Sequence, residues 1–421
     1  MASDDALDVY HGDRLVGRLH DEQPLRFEYA PSWREYPHAE PLSPSLPLTQ
    51  QVHAGDAALA YFENLLPEGE LRRHLEISRH TTTVFGLLKS VGGDTASGFT
   101  LLPRGEVPAP PRYRPIGWGE LAERLHHRER GPLLSQQGEE ARISLAGAQD
   151  KLLLMLLDDG RPAIPEGTAP SSHILKPDIH GRRGVWCSAL NEAFCMQLAA
   201  ELGLEVAQAS YQPDTRACLV RRYDRIPDER GGLRRLHQLD FCQLDGTPST
   251  IKYESDGGPG LVRCRELLQQ AGAPARDLQR LIGWFFFNLL IGNNDSHAKN
   301  LSILQTDEGP RLAPFYDLMS TTLYSGLSRR FAFRIDGEDR PGRIERPHLE
   351  SLARSMRFQP RYFIRHGLEL AEHMPAAIDR TLEPLREVTH PGTEHTLLER
   401  LQQRLTGNCR KLAAHWSAGP G

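Results

Sequence analysis

Residues 281–304 constrain this chain more than any other stretch. Residues 281–292 are apolar apart from Asn288 and close on Gly292, a natural stop for a helix. The next eight residues are mostly polar and include Asn293, Asn294, Asp295, His297, Lys299 and Asn300. Residues 301–304, Leu-Ser-Ile-Leu, then read as an apolar strand. A polar cluster is therefore pinned between two buried elements. Surface loops rarely have such rigid anchors, whereas catalytic loops need them. The apolar run is 12 residues long, and a membrane span needs ~20.

Asp295 and Asn300 stand in the pattern D-x-x-x-x-N. That is the spacing of the protein-kinase catalytic loop, where the Asp accepts the proton of the attacking hydroxyl and the Asn holds Mg²⁺. Mg²⁺ is a hard cation and prefers oxygen ligands, which the Asn side chain supplies. Residues 301–305 and 311–315 flank the turn Thr-Asp-Glu-Gly-Pro and predict a hairpin. It ends at Asp317, 17 residues past Asn300, where a kinase carries its second metal-binding Asp.

A kinase also needs a lysine on a strand to meet the nucleotide phosphates. The run His-Ile-Leu-Lys-Pro at 173–177 supplies Lys176. The helix predicted at 191–202 follows, with Glu192 near its start. Glu192 either pairs with Lys176 or sits as a first-turn acid favourable to the helix dipole. Residues 143–151, Ile-Ser-Leu-Ala-Gly-Ala-Gln-Asp-Lys, precede a predicted strand at 151–157. Ala146, Gly147 and Ala148 would let backbone N–H groups approach a phosphate. The segment matches neither G-x-G-x-x-G nor a Walker A loop, so spacing alone makes it only a loop.

The 421 residues correspond to about 2.8 domains. Hydrophobic residues at 39% and charged residues at 25% exclude a disordered chain. Residues 7–10 and 15–19 flank a turn-type cluster and predict a hairpin, with a further strand at Phe27 and Tyr29. Residues 56–76 read as helical with an interruption at Pro67, and 82–90 as a short helix. Five prolines fall within residues 103–115, which predicts an extended connector. Strand signals recur at 217–223 and 236–239. Helical ones follow at 278–291, 348–355, 362–373, 376–383 and 394–416, with Pro384 as a stop for the fourth of these. A strand-rich half before a helical half predicts an α+β chain with a two-lobed, kinase-like arrangement. The boundaries read as a small α+β domain at 1–102, a connector at 103–117, a mixed lobe at 118–245 and a helical lobe at 246–421.

Fifty basic against 55 acidic residues leave a net charge of −5, unlike a protein that coats nucleic acid with its whole surface. The six cysteines include no C-x-x-C pair and none lies before residue 187. They read as buried reduced thiols of a cytoplasmic protein rather than a disulfide framework or a zinc module. The acidic N-terminus has no apolar run of a signal peptide.

These segments together resemble the HipA family, the serine/threonine kinase toxins of bacterial toxin–antitoxin pairs. The resemblance runs nearly end to end. It is carried by F-E-N-L-L-P-E-G at 62–69, G-G-D at 92–94, I-S-L-A-G-A-Q-D-K at 143–151, H-I-L-K-P at 173–177 and N-E-A-F-C-M-Q-L-A at 191–199. It continues with R-R-Y-D-R at 221–225, Q-L-D-F-C-Q at 238–243, K-Y-E-S-D-G-G-P-G at 252–260, N-D-S-H-A-K-N at 294–300 and F-Y-D at 315–317. The resemblance implies Asp295 as the catalytic Asp, Asn300 and Asp317 as Mg²⁺ ligands, and Lys176 on the ATP phosphates. It implies Leu145, Ala146, Gly147, Ala148, Gln149, Asp150 and Lys151 as the phosphate loop, and His297 beside the γ-phosphate or metal. Gln238, Asp240 and Phe241 would form the adenine hinge, with Leu239 standing where many relatives carry Glu, so that adenine contact there is through backbone. Ser296 replaces the commoner Gly after the catalytic Asp. Ser144 would be the autophosphorylation site, and a phosphate there would expel the loop beside it. The implied partners are a protein substrate, of which an aminoacyl-tRNA synthetase is one candidate, and a small helix-turn-helix antitoxin through which DNA is reached indirectly. No membrane is implied. Two other readings use the same residues: a small-molecule phosphotransferase, and a catalytically silent co-repressor of a DNA-binding antitoxin.

Overall fold

The alternation near the N-terminus folds as a hairpin because Gly12, at φ +60, turns the chain between two strands. The computed structural model describes residues 5–126, 149–229 and 231–417. Strands β1 (Ala6–His11) and β2 (Arg14–His20) pair antiparallel, Leu7 opposite Leu19 and Val9 opposite Gly17. β3 (Arg26–Tyr29), α1 (Pro31–Arg34), β4 (Val52–Ala54), α2 (Asp56–Glu63), α3 (Gly69–Ser78), α4 (Val84–Val91) and β5 (Thr100–Pro103) follow. The strands form an antiparallel sheet in the order β4-β3-β2-β1-β5. Phe27 and Tyr29 on β3 meet edge to face, and Phe62 of α2 packs on Phe27, so the sheet and the helix share one aromatic core. The helical signal at 56–76 divides where expected, on either side of Pro67.

β6 (Arg112–Pro115), α5 (Trp118–His126), β7 (Leu152–Leu156), β8 (Pro162–Glu166) and β9 (His173–Pro177) come next. The proline-rich stretch expected to be plain connector contributes β6, which pairs with β8. Its burial is low along its length, the edge setting in which a strand tolerates proline. α6 (Ser188–Glu201), β10 (Ala209–Gln212), β11 (Ala217–Arg221), β12 (Arg225–Pro227), β13 (Leu233–Arg235), β14 (Gln238–Asp240) and α7 (Phe241–Asp245) complete the middle of the chain. The last part comprises α8 (Leu261–Gln270), α9 (Ala275–Ile291), β15 (Ser302–Thr306), β16 (Gly309–Leu312), α10 (Arg346–Ser355), α11 (Pro360–Val388) and α12 (Thr393–Ser417). Two compact units result. One runs to Leu175 and takes in Arg222–Ile251 and Leu304–Asp307; the other takes in Lys176–Arg221, Lys252–Ile303 and the chain from Glu308.

The first unit is tied together by buried charge. Asp94, fully buried, accepts from Ser171 N at 3.0 Å, Ser171 Oγ at 2.7 Å and Arg225 Nη2 at 2.8 Å. Arg222 and Arg235 approach it at 3.4 and 3.3 Å. Asp224 takes Arg222 Nη2 at 2.7 Å and Arg225 Nη1 at 2.8 Å. Burial alone would raise the Asp94 carboxyl. Arg225, Arg222 and Arg235 outweigh it and hold the group far below the usual carboxylate range. Arg225 is itself brought down to about 10, by burial and by Arg222 beside it, and stays charged at neutral pH. His237 adds a neutral tie, bonded to Leu42 O at 3.0 Å and Ser97 Oγ at 3.4 Å, its ring pushed down to about 3 by burial.

The second unit is mainly helical. α11 is one helix of 29 residues with Pro375 and Pro384 inside it. This corrects the expectation of two helices at 362–373 and 376–383 and of a stop at Pro384. Each proline leaves a carbonyl one turn back without its donor. The carbonyl ahead of Pro384 belongs to the exposed Arg380, which water can serve, whereas the one ahead of Pro375 belongs to the buried Ala371. The opposite face buries Phe363, Ile364, Leu370, Met374, Ile378, Leu382 and Leu385, and this apolar stripe packs on α9, α12 and α6. Packing of an amphipathic face outweighs local propensity. All six cysteines are free thiols; Cys187 is half-buried and the other five are buried. Among the described residues no helix is long and apolar enough to cross a membrane.

Asp94→Asn is expected to cost about 3–5 kcal/mol of unfolding free energy in a urea titration, since it strands buried guanidiniums. The folded pKa of Asp94 is depressed, so its contribution is complete above the unfolded value of about 3.9 and fades as pH falls toward the folded one. Pro384→Ala should raise stability by about 1–3 kcal/mol, read as a higher melting temperature, because α11 regains a backbone bond at an exposed position.

Candidate active site

α9 ends as its last residues require. Gly292 takes the left-handed conformation at φ +69, and any Cβ there would lie 2.2 Å from Thr322 Oγ1. Asn288, buried in the apolar run, donates to Trp284 O and accepts from Asn293 Nδ2 at 2.8 Å. Asn293 Nδ2 also reaches Asp317 O at 3.4 Å, and Asn294 N donates to Thr321 Oγ1 at 2.8 Å. The start of the polar loop is thus stitched both to the helix before it and to the segment from Asp317 to Thr321. That segment is itself held. Asp277 at the start of α9 is fully buried and takes Arg311 through both carboxylate oxygens at 2.9 Å, together with Leu312 N at 2.8 Å. Tyr316 Oη donates to Lys299 O at 2.7 Å.

Lys176, at the end of β9, donates to Glu192 Oε1 at 2.6 Å and to Asp317 Oδ1 at 2.9 Å. Burial would lower its ammonium. Asp317 and Glu192 more than reverse this and hold the pKa above the ordinary lysine value. α6 begins at Ser188, three residues before the expected 191, because Asp178 Oδ1 receives Ala189 N at 2.9 Å and closes the helix start. Glu192 is therefore in the second turn, buried and pointed at Lys176, which removes the first-turn dipole role. Its neighbour Asn191 takes Ser320 N at 2.9 Å and donates to Ser320 O and Tyr324 Oη. One turn of α6 thus reaches this segment twice, at Asp317 through Lys176 and directly at Ser320.

Asn300 Nδ2 lies 3.3 Å from Asp317 Oδ2. Asp317 has φ +59, a left-handed backbone that side chains rarely adopt, and its carboxylate is 47% exposed. A carboxylate and an amide oxygen side by side are the oxygen donors Mg²⁺ takes, with the rest of its shell supplied by phosphates and water. Among the described residues no cluster of three or more acidic, His or Cys side chains could hold a metal alone.

Asp295 is exposed at its tip yet ringed by protein. That enclosure raises its carboxyl above the ordinary value, opposed by a hydrogen bond from Tyr253 and by Lys252. Tyr253 Oη donates to Asp295 Oδ1 at 2.5 Å. His297 is buried, and its imidazole is driven well below the usual value by burial and by Lys252, so it is neutral. Its ring meets that of Tyr253 at 5.1 Å, edge to face.

In the other unit, Gln238, Leu239 and Asp240 form β14, and Asp240 caps α7 by accepting Gln243 N at 2.8 Å in a capping box. Phe241 is fully buried. The Asp240 and Phe241 side chains are thus committed to the fold, whereas Gln238 Oε1 is buried with no partner among the described residues. Gln149 and Asp150 are half-buried and Lys151 is buried ahead of β7. Ser144, Leu145, Ala146, Gly147 and Ala148 lie outside the described residues. Sequence reasoning placed Asn293 in the polar loop but missed Asn191, Asp277 and Tyr253 as parts of this site. Asn191 stood at the first residue of the helix predicted at 191–202 and Asp277 just ahead of the one predicted at 278–291, so neither read as a buried polar residue that must find a partner.

A lysine paired to a helix glutamate, a catalytic-loop Asp, and an Asn beside a second Asp are the parts of a kinase-type phosphotransferase. The model of the HipA-like C-terminal domain matches residues 143–378, and that of the HipA N-terminal domain matches residues 7–98. The chain belongs to the HipA family. It is 31% identical over 430 residues to the serine/threonine-protein kinase toxin HipA of Shewanella oneidensis, covering 95% of this chain and 96% of that one. It is 39% identical over 347 residues to the putative kinase Y4mE of Sinorhizobium fredii, covering 78% and 80%. Among solved structures, the complex of Shewanella oneidensis HipA, HipB and operator DNA contains a chain that superposes with a TM-score of 0.82 at 27% identity, covering 98% of this chain and 100% of that one. The expected α+β, kinase-like fold is the one found.

Glu192→Ala is expected to lower the unfolding free energy by about 3 kcal/mol, because a buried ammonium loses its better-enclosed partner. Asp317→Ala, at a half-exposed carboxylate, should cost less than about 1 kcal/mol. Parallel urea titrations of the two variants give the comparison.

Proposed function

We propose that this chain transfers a phosphoryl group from ATP to a serine or threonine hydroxyl of a protein, and acts as the toxin of a toxin–antitoxin pair. The observation that carries this reading is the convergence of Lys176, Glu192, Asp317 and Asn300 within 3.3 Å of one another in turn. Such transfer is mostly positioning and charge stabilisation. Lys176 is aimed by Glu192 at phosphate oxygens. Asp317 and Asn300 would hold Mg²⁺, which when bound offsets charge on the phosphates. Asp295 accepts the proton of the attacking hydroxyl. The neutral His297 flanks it without adding charge.

The nucleotide-binding roles of residues 145–151 and of Gln238, Asp240 and Phe241 belong to the same proposal. Gln238 Oε1, a buried acceptor with no partner among the described residues, supports a ligand amine there. Asp240 and Phe241 would act through backbone, since their side chains serve the fold. Ser144 is proposed as the autophosphorylation site, by which the enzyme would inactivate itself. The segments 1–102, 103–117, 118–245 and 246–421 are proposed as accessory domain, connector, mixed lobe and helical lobe of a cytoplasmic enzyme. The Shewanella relative is described with HipB and operator DNA, which supports a small helix-turn-helix antitoxin as partner and indirect contact with DNA. The net charge of −5 suits that delegation. An aminoacyl-tRNA synthetase is the proposed target class.

Asp295→Asn is expected to reduce phosphate transfer by ~10³-fold or more while ATP still binds, because only the proton acceptor is lost. Mass spectrometry of the wild-type chain after incubation with Mg²⁺ and ATP should find phosphate on Ser144. Full transfer by Asp295→Asn would refute the assignment.

A further inference from the structure

The Asp295 oxygen that receives a substrate proton already has a partner. Tyr253 Oη donates to Oδ1 at 2.5 Å. Tyr253 is a built position rather than a loose surface ring. Its carbonyl accepts from Asp256 N at 3.0 Å and Gly258 N at 2.9 Å. Glu254 beside it receives Arg334 N at 2.8 Å. Lys252 Nζ stands 5.5 Å from the ring centroid, and His297 meets the ring edge to face at 5.1 Å. A phenol hydroxyl held on the proton acceptor has the hydrogen-bonding character of an incoming serine, threonine or water.

We propose that Tyr253 is a positioning residue of the phosphotransfer reaction. It occupies the acceptor-hydroxyl place on Asp295, suppresses attack by water when no protein substrate is bound, and yields that place to the substrate hydroxyl. This rests on the kinase reading above. In the suppressed reaction a water oxygen bonds to the γ-phosphorus of ATP and the bond to the β,γ-bridging oxygen breaks. One water proton passes to Asp295, and ADP and inorganic phosphate leave. While Tyr253 donates to Oδ1, water must compete with it for that oxygen.

The test is ADP release by the full-length chain with Mg²⁺ and ATP and no other protein, counted beyond one equivalent per chain so that self-phosphorylation does not contribute. Tyr253→Phe keeps the ring and removes the donor, and should raise turnover by ~10-fold, the worth of one hydrogen bond to a charged group, with KM for ATP unchanged. Tyr253→Leu should be at least as fast. Adding Asp295→Asn to Tyr253→Phe should abolish the gain, which a merely structural role for Tyr253 would not predict. Turnover of Tyr253→Phe equal to or below wild type, with melting temperature and KM for ATP retained, overturns the proposal. Phosphate found on Tyr253 itself also overturns it, since the residue would then be an acceptor. No ADP release by any variant and no phosphate on Ser144 would overturn the kinase reading and this proposal together. Ser144 phosphorylation in a wild type whose Tyr253→Phe variant gains nothing overturns this proposal alone.

Discussion

An ammonium group removed from water must be paired, and Lys176 is paired twice. Glu192 and Asp317 converge on its Nζ from a helix and from the segment after a hairpin. Neither acid would tolerate the other so close without the cation, and the cation would not stay charged when buried without them. Three stretches far apart in sequence are therefore forced to one point. The rest of the site is arranged around keeping them there. Asp178 sets where α6 begins, Asn191 clamps the backbone at Ser320, and Asp277 holds Arg311 and Leu312. Asp317 keeps its left-handed backbone within this frame.

The first unit uses the same device for a different end. Asp94 belongs to the part matched by the HipA N-terminal model, while Ser171, Arg222 and Arg225 belong to the part matched by the C-terminal model. Their buried bonds tie parts of the two matched regions together within that unit. Ser171 lies two residues before β9, whose end carries Lys176.

Much of this is legible in the sequence alone. The apolar run closing on Gly292, the D-x-x-x-x-N spacing and the hairpin leading to Asp317 are local patterns, and local patterns survive folding. The elements missed or misread are those decided by distant contacts. Pro375 and Pro384 argue locally against a helix, yet α11 continues because its apolar face is covered by α9, α12 and α6. β6 reads as connector because the prolines before and at its end remove donors, but an edge strand needs only one partner, and β8 supplies it. Glu192 could be read two ways until the start of α6 was known, and that start is set by Asp178, ten residues before Ser188 and outside the helix pattern.

The sequence by itself determined the family, the α+β class and the residue types of the site, because hydrophobic period, glycine stops and motif spacing are written along the chain. Tertiary structure alone decided which charges meet. The G-G-D and R-R-Y-D-R motifs are separated by more than a hundred residues, and nothing local says that Asp94 is the acceptor for Arg225. Nor does any spacing between residues 253 and 295 say that a tyrosine hydroxyl rests on the proposed proton acceptor. The reason is physical. A backbone pattern is set by neighbours a few residues away, whereas a buried charge is satisfied by whatever the completed fold brings within about 3 Å of it.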